Sequence, residues 1–395
     1  TFLATCAAWR ISLLSLPTTF WHELVAQMDA DALVLPTSLR LVTFGGDRAN
    51  PERVALWQQH ADEHVQLVNT YGPTESTIIA TLFSIPPTAL ERGFRDVPIG
   101  RPLRNLTAYV LDQHLALVPV GVPGELCLGG AGLARGYLDR PALTAERFVP
   151  DPFSQRPGAR IYHTGDLVRW LPDGTLEFLG RVDYQVKIRG FRVEVGEVEA
   201  ALHQCPAVSD AVVVAREDTS PASGYPDKRL VAYIIPRDGH TPTTSELRSF
   251  LLAKIPDYMI PTAFITLERL PLTTGGKVNR RALPAPDQTR PNLNDAFAEP
   301  RTPTEQQVAS IWRSVLKLEQ VGIDDNFFDL GGHSLLATQV IARLRDMFQV
   351  DLPIRYLFAA PTVSGVAAMI ERMRWLAQDA SGSAADDESA EEGAL

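Results

Sequence analysis

The run Asp324-Asp325-Asn326-Phe327-Phe328-Asp329-Leu330-Gly331-Gly332-His333-Ser334-Leu335-Leu336 constrains this chain more than any other stretch. Leu336, Val340, Leu344 and Phe348, with Ile341 beside them, recur at helical spacing behind Ser334. A helix starting there buries one stripe and leaves the serine at its exposed end. Gly331 and Gly332 permit positive φ just before it, and Phe327, Phe328 and Leu330 can pin the loop to a core. Two readings of Ser334 follow from these residues alone. It is a helix N-cap, the commonest role of serine at such a position, or a hydroxyl presented for modification. In the second reading the helix start favours an attached phosphodiester by roughly 0.3–1 kcal/mol, through its free N–H groups and dipole.

The string from Asp325 to Thr338 closely resembles the carrier (thiolation) domain of nonribosomal peptide synthetases. That resemblance implies that Ser334 carries a phosphopantetheine arm, attached by a phosphopantetheinyl transferase. His333 resembles the peptide-synthetase version, whereas many acyl and polyketide carriers have Asp there.

At 395 residues the chain can hold two or three domains, each with its own core. A net charge of −10 argues against a general binder of nucleic acid or anionic membrane. Cys6, Cys127 and Cys205 are odd in number and far apart, a spacing that suggests neither a disulfide framework nor a zinc site. They are expected to be buried thiols of a cytoplasmic protein. No apolar run reaches membrane-spanning length and no basic-then-apolar leader opens the chain. It begins at Thr1 inside a helix-like pattern, which suggests a piece of something longer.

From Phe2 to Trp57 helical and short apolar strand patterns alternate, and Val65 to Val68 repeats the strand pattern before Asn69-Thr70-Tyr71-Gly72-Pro73-Thr74-Glu75. Such alternation implies a layered α/β domain with ligands at strand C-terminal ends. Tyr71 offers a ring for a base, Thr74 a hydroxyl for a phosphate and Glu75 a carboxylate for a hard cation, although a polar turn with an incidental Glu would read the same. Further on, Tyr162-His163-Thr164-Gly165-Asp166 and Gly180-Arg181-Val182-Asp183 flank a predicted hairpin. A carboxylate at 166 can take two ribose hydroxyls and a guanidinium at 181 can approach ribose or phosphate, or both can be ordinary surface residues. Between the loops runs the Gly-rich string Gly129 to Leu138, to which no catalytic role is assigned.

These strings together resemble the amino-acid adenylation domains of peptide synthetases, within the adenylate-forming superfamily. The resemblance, which covers nearly everything from Ile11 to Met373, implies that Tyr71 stacks on adenine, Thr74 contacts the α-phosphate, Glu75 helps hold magnesium, Asp166 binds the ribose hydroxyls and Arg181 contacts the nucleotide. Asp183 becomes a hinge, and the loop at Arg189-Gly190-Phe191 faces the pantetheine channel. Ser15, Val42, Phe44, Thr70, Ile78 and Ile79 fall where the family lines its side-chain pocket. Buried packing explains Val42, Ile78 and Ile79 equally well. Lys277, in Thr274-Gly275-Gly276-Lys277-Val278, fails the P-loop pattern because Val278 replaces the hydroxyl residue. By resemblance it is the catalytic lysine of adenylation. An ammonium about 4 Å from phosphate charge is worth roughly 4 kcal/mol at an effective dielectric of 20, before desolvation.

The expected architecture is multidomain: an α/β and β-rich remainder of an adenylation core over residues 1–182, a small α+β C-terminal lid subdomain over 183–285, a linker over 286–303 that acts as a tether, a helical-bundle carrier over 304–376 and an acidic, disordered tail over 377–395. What the resemblance implies is activation of an amino acid by ATP as aminoacyl-AMP, then its transfer as a thioester to the module's own arm, with condensation or thioesterase domains as neighbours. The family's loop for the β- and γ-phosphates and its Asp for the substrate's amino group lie upstream of Thr1, so this piece alone is expected not to form aminoacyl-AMP. Two alternatives are a carrier loaded in trans beside an inactive adenylation remnant, and an acyl- or aryl-CoA ligase, against which the carrier argues.

Overall fold

The computed structural model describes residues 2–31, 34–87, 96–183, 185–188, 190–219, 226–274, 276–286, 289–294 and 296–376. Two compact units emerge, Thr1–Glu194 and Val195–Leu395. The acidic tail, Tyr184, Arg189 and Gly275 lie outside the described residues.

In the first unit, strands β1 (Leu13–Pro17), β2 (Leu41–Gly45) and β3 (Gln66–Tyr71) run parallel, and β4 (Thr81–Ile85) and β5 (Arg101–Pro102) continue the sheet antiparallel, in the order β1-β2-β3-β4-β5. After helix α1 (Phe2–Ala8), helices α2 (Thr18–Asp31) and α3 (Pro51–His60) connect the parallel strands, as right-sized crossovers require. Asn50 caps α3 by accepting from the Glu52 N–H at 2.8 Å, and Pro51 occupies the first turn. Alternation along β2 sends Val42 and Phe44 into the core, where Phe44 stacks on Trp21 with ring centroids 4.1 Å apart.

His22 sits beside that cap. Its Nε2 accepts from the Asn50 N–H at 3.1 Å, so the ring must be neutral there. Burial, aided by Arg53, lowers its pKa to about 4. A histidine depressed in the folded state takes up protons more readily when unfolded, so its contribution is present above about pH 6.5 and fades as pH falls toward 4, by roughly 3 kcal/mol. The melting temperature of this unit is expected to drop over that window, and to drop less in His22→Gln.

A second, antiparallel sheet follows, built from β6 (Leu106–Leu111), β7 (Gly124–Gly130), β9 (Arg160–Trp170) and β10 (Leu176–Arg181) in the order β10-β9-β7-β6, with β8 (Phe148–Pro150) paired to β9 and helix α4 (Pro141–Arg147) before it. Strand β9 is longer than the sequence suggests. The segment 162–166 that flanks the predicted hairpin is itself strand, and pairing extends back to Arg160, because Gly165 at φ +70° lets the strand pass through an irregularity instead of ending. The hairpin β11 (Val186–Ile188) and β12 (Phe191–Val193) closes the unit, with Gly190 at φ +83° in its turn.

In the second unit, β13 (Val208–Thr219), β14 (Pro226–Pro236) and β15 (Ala263–Thr266) form a mixed sheet, and helix α5 (Val195–His203) packs on β13. Thr243 and Glu246 form a reciprocal capping box on α6 (Thr244–Leu252). The rest is a helical bundle of α7 (Pro303–Leu316), α8 (Ser334–Phe348), α9 (Arg355–Ala359) and α10 (363–376) around Trp312, Phe327, Val340, Leu344 and Ile370.

Three local expectations change. Helix α7 opens at Pro303 under a Thr302–Glu305 capping box, one residue ahead of the expected Thr304. The cap of α8 is His333, whose Nδ1 accepts from the Leu336 N–H at 3.4 Å, so Ser334 is the first helical residue and not the cap. The described part of the expected tether is pinned rather than free. Leu293 is buried in the bundle core and Arg290 pairs with Asp325. Isolated anchors of this kind leave no periodic trace in sequence. Among the described residues no helix is long and apolar enough to cross a membrane.

Candidate nucleotide and carrier sites

The end of β3 delivers Tyr71, and the register of β9 against β10 sets Arg181 opposite Asp166. The buried Tyr71 hydroxyl donates to Asp166 Oδ2, and Arg181 Nη1 donates to Asp166 Oδ1 at 2.5 Å. Arg181 also donates through Nε and Nη2 to the two oxygens of Asp183, at 2.6 and 2.8 Å, and to the Thr164 carbonyl at 3.1 Å. Residues 71, 166, 181 and 183 thus form one hydrogen-bonded network across three segments of the chain. Burial, reinforced by the Asp166 carboxylate, pushes the Tyr71 hydroxyl well above its ordinary range. Burial would raise the Asp183 carboxyl, but hydrogen bonds from Arg181 outweigh it and hold the group below the usual range.

Glu75 lies in the single turn Thr74–Ser76, with its side chain buried and Thr74 exposed. The Tyr137 hydroxyl donates to Oε1 at 2.6 Å, and Arg192 Nη1 spans Oε1 and Oε2 at 3.1 and 3.0 Å. Burial alone would raise this carboxyl; Tyr137 and Arg192 hold it below its ordinary value. Lys187, the register partner of Arg192 across the hairpin, shares its face and places its Nζ 5.2 Å from the Tyr71 ring centroid. Neither Lys187 nor Arg192 was singled out from sequence, nor were Tyr137 and Tyr162, which meet hydroxyl to hydroxyl at 3.4 Å. The available signal was the alternation of the hairpin, which sets both cations on one side.

The six expected pocket positions do not share a face. Val42 and Phe44 point into the helix-covered core, whereas the pairings Ser15↔Thr43 and Gly45↔Thr70 put Ser15 and Thr70 on the opposite side. Ile78 is 73% exposed at φ +72°, an uncommon conformation for a β-branched residue, and Ile79 is half-buried.

Lys277 and Ser334 belong to the second unit. Lys277 is exposed in a tight loop closed by the Leu272–Val278 bridge and by the Thr273 N–H donating to the Lys277 carbonyl at 2.7 Å. Ser334 is exposed at the first turn of α8. The loop before it is held tightly: a Cβ on Gly332 would lie 2.4 Å from the Phe327 ring, and one on Gly331, at φ +93°, would lie 2.9 Å from the Thr262 carbonyl oxygen. Asp329 anchors the same loop to α6, accepting from the Ser245 hydroxyl at 2.7 Å and pairing with Arg248 at 3.5 Å.

Three family models match the chain: AMP-binding enzyme over residues 1–138, AMP-binding enzyme C-terminal domain over 197–277 and phosphopantetheine attachment site over 306–370. The dimodular nonribosomal peptide synthase of Bacillus subtilis is 47% identical over 356 residues, 90% of this chain and 14% of that protein. Tyrocidine synthase 1 of Brevibacillus parabrevis is 42% identical over 92% of this chain and 31% of its own length. Against three linear gramicidin synthase polypeptides of the same organism identity is 49–50%, and the chain spans only 4%, 6% and 7% of their lengths. Among solved structures, an NRPS protein containing adenylation and PCP domains, bound to a vinylsulfonamide inhibitor, superposes with a TM-score of 0.71 at 29% identity, over 92% of this chain and 57% of that one. An artificially fused adenylation-PCP di-domain NRPS from Klebsiella oxytoca gives a TM-score of 0.56 at 26% identity, over 94% and 58%.

Proposed function

Because this chain belongs to the nonribosomal peptide synthetases, joining part of an amino-acid adenylation domain to a phosphopantetheine carrier, we propose that it is the piece of a module that holds a nucleotide, helps activate an amino acid as its adenylate and accepts the product on its own carrier. The observation that carries this reading is the convergence of Tyr71, Asp166, Arg181 and Asp183 on one network. Tyr71 supplies a ring for the base, Asp166 a two-oxygen acceptor for ribose hydroxyls, and Arg181 positions that acceptor. Thr74 is open to contact the α-phosphate. Lys277, exposed on its loop, is the side chain to neutralise charge that builds between carboxylate and phosphate.

Glu75 fits a magnesium ion in kind: it is a buried carboxylate whose surroundings already accept a positive group, the Arg192 guanidinium. Magnesium there would offset phosphate charge, and Arg192 would have to yield the carboxylate. Ser334 fits the phosphopantetheine arm, since its hydroxyl is exposed and released from capping by His333. When bound, the arm supplies the thiol that takes over the aminoacyl group. The hinge falls to Asp183, which pairs with Arg181 eleven residues before the end of the first unit. A phosphopantetheinyl transferase and an amino acid are the implied partners, with condensation or thioesterase domains as neighbours in the parent.

The test is amino-acid-dependent pyrophosphate exchange by a module carrying this segment. Asp166→Ala is expected to raise the KM for ATP at least about tenfold, the loss of one or more charge-assisted hydrogen bonds. An unchanged KM would remove Asp166 from the nucleotide site.

A further inference from the structure

A second cluster of ligand-type side chains, sharing strand β9 with Asp166 of the nucleotide network, lies on one face of the antiparallel sheet. Glu125 and Cys127 are two residues apart on β7 and therefore share a face, and His163 is the register partner of Cys127 on β9. His163 Nδ1 lies 3.0 Å from Glu125 Oε2 and 3.5 Å from Cys127 Sγ, and one donor atom from each residue falls within 4.8 Å of the others. Carboxylate, imidazole and thiol are the three ligand types of zinc. With metal–ligand distances of about 2.0–2.3 Å, a tetrahedral site sets its ligands roughly 3.2–3.8 Å apart. These atoms are within a few tenths of an ångström of that spacing for the two contacts made by His163.

The protons point the same way. One ring nitrogen faces both a carboxylate oxygen, which can only accept, and a thiol. If Nδ1 carries hydrogen and donates to Glu125, the fully buried S–H has no nitrogen to donate to; if Nδ1 accepts from S–H, its lone pair faces carboxylate lone pairs at 3.0 Å. A cation at the centre of the three satisfies all of them. The approach is open as well, because the Glu125 and His163 side chains are 26% and 17% exposed while the thiol lies beneath them.

We propose that Glu125, Cys127 and His163 form a zinc site with its fourth position open to water. Binding forms the Sγ–Zn bond as the thiol proton leaves to solvent, with Nδ1 ligating and Nε2 keeping its hydrogen. The other Glu125 oxygen, Oε1, accepts from the Gly165 N–H at 2.9 Å, next to Asp166, so metal at this site is mechanically tied to the segment that carries Asp166.

The experiment titrates the full chain, freed of metal, with Zn²⁺ against a chromophoric chelator and with Co²⁺ as a spectroscopic probe. One equivalent per chain is expected, with a near-ultraviolet thiolate-to-cobalt band. Cys127→Ser and His163→Gln are each expected to weaken binding by at least about tenfold and the first to erase the band, while Cys6→Ser and Cys205→Ser leave both unchanged. His163 is partly exposed, so its replacement tests the site even if Cys127→Ser fails to fold. Affinity indifferent to His163→Gln, or a cobalt spectrum without the thiolate band, overturns the proposal.

Discussion

Replacing Ser334 by Ala is expected to abolish attachment of the phosphopantetheine arm while changing stability by no more than about 0.5 kcal/mol, the usual scale of an exposed substitution. Both halves of that expectation come from the same geometry. The hydroxyl is exposed at the first turn of a 15-residue helix, where partial positive charge favours the phosphodiester, and the cap is supplied by His333. Were Ser334 the cap, its loss would cost about 1 kcal/mol and the melting temperature would fall by several degrees. Incubation with a phosphopantetheinyl transferase and coenzyme A, followed by intact-mass analysis, separates the outcomes. An arm still attached to the Ala variant would place the site on another residue. The neighbouring Gly332 gives a contrasting result, since any side chain there meets the Phe327 ring, so Gly332→Ala should lose attachment through distortion of the loop.

The parts legible in sequence were those with a period or a fixed string. The stripe Val340, Ile341, Leu344 and Phe348 announces α8, and those residues are buried in the bundle core. The alternation of strands with helices at the start of the chain is equally legible. Cross-strand register was not visible. It alone sets Arg181 opposite Asp166, Lys187 opposite Arg192 and His163 opposite Cys127, and residues 36 positions apart carry no ligand-like spacing until the strands pair. The same rule explains why the expected pocket residues separate. Val42 and Phe44 occupy even positions of a strand whose odd positions share the face of Ser15 and Thr70, a distinction that resemblance at single positions does not carry. The segment between the two folded parts of the second unit has the polar, aperiodic composition of a tether, and composition does not reveal single anchors such as Leu293 and Arg290.

That anchoring sets the largest stability effect expected in the carrier. Asp325 is a charged side chain only 1% exposed, at the start of the loop that presents Ser334. Its oxygens accept from Arg290 Nε at 3.1 and 2.9 Å and from Nη2 at 2.6 Å, and Oδ2 also takes the Gly322 N–H at 2.7 Å. Removing one member of a buried pair strands the other in a low-dielectric site, so Arg290→Ala is expected to destabilise the carrier by about 3–5 kcal/mol. The double variant Arg290→Ala, Asp325→Asn removes the stranded charge while keeping an oxygen for Gly322, and should recover much of the loss. Hydrogen exchange of the α8 amides in the full chain across a urea titration measures both in the bundle itself. A loss under about 1 kcal/mol in Arg290→Ala would mean that Asp325 finds water or another donor, as an exposed pair would. A full loss that Asp325→Asn does not relieve would assign the effect to lost packing of the Arg290 stem, whose guanidinium carbon lies 5.9 Å from the Phe297 ring centroid, and not to charge.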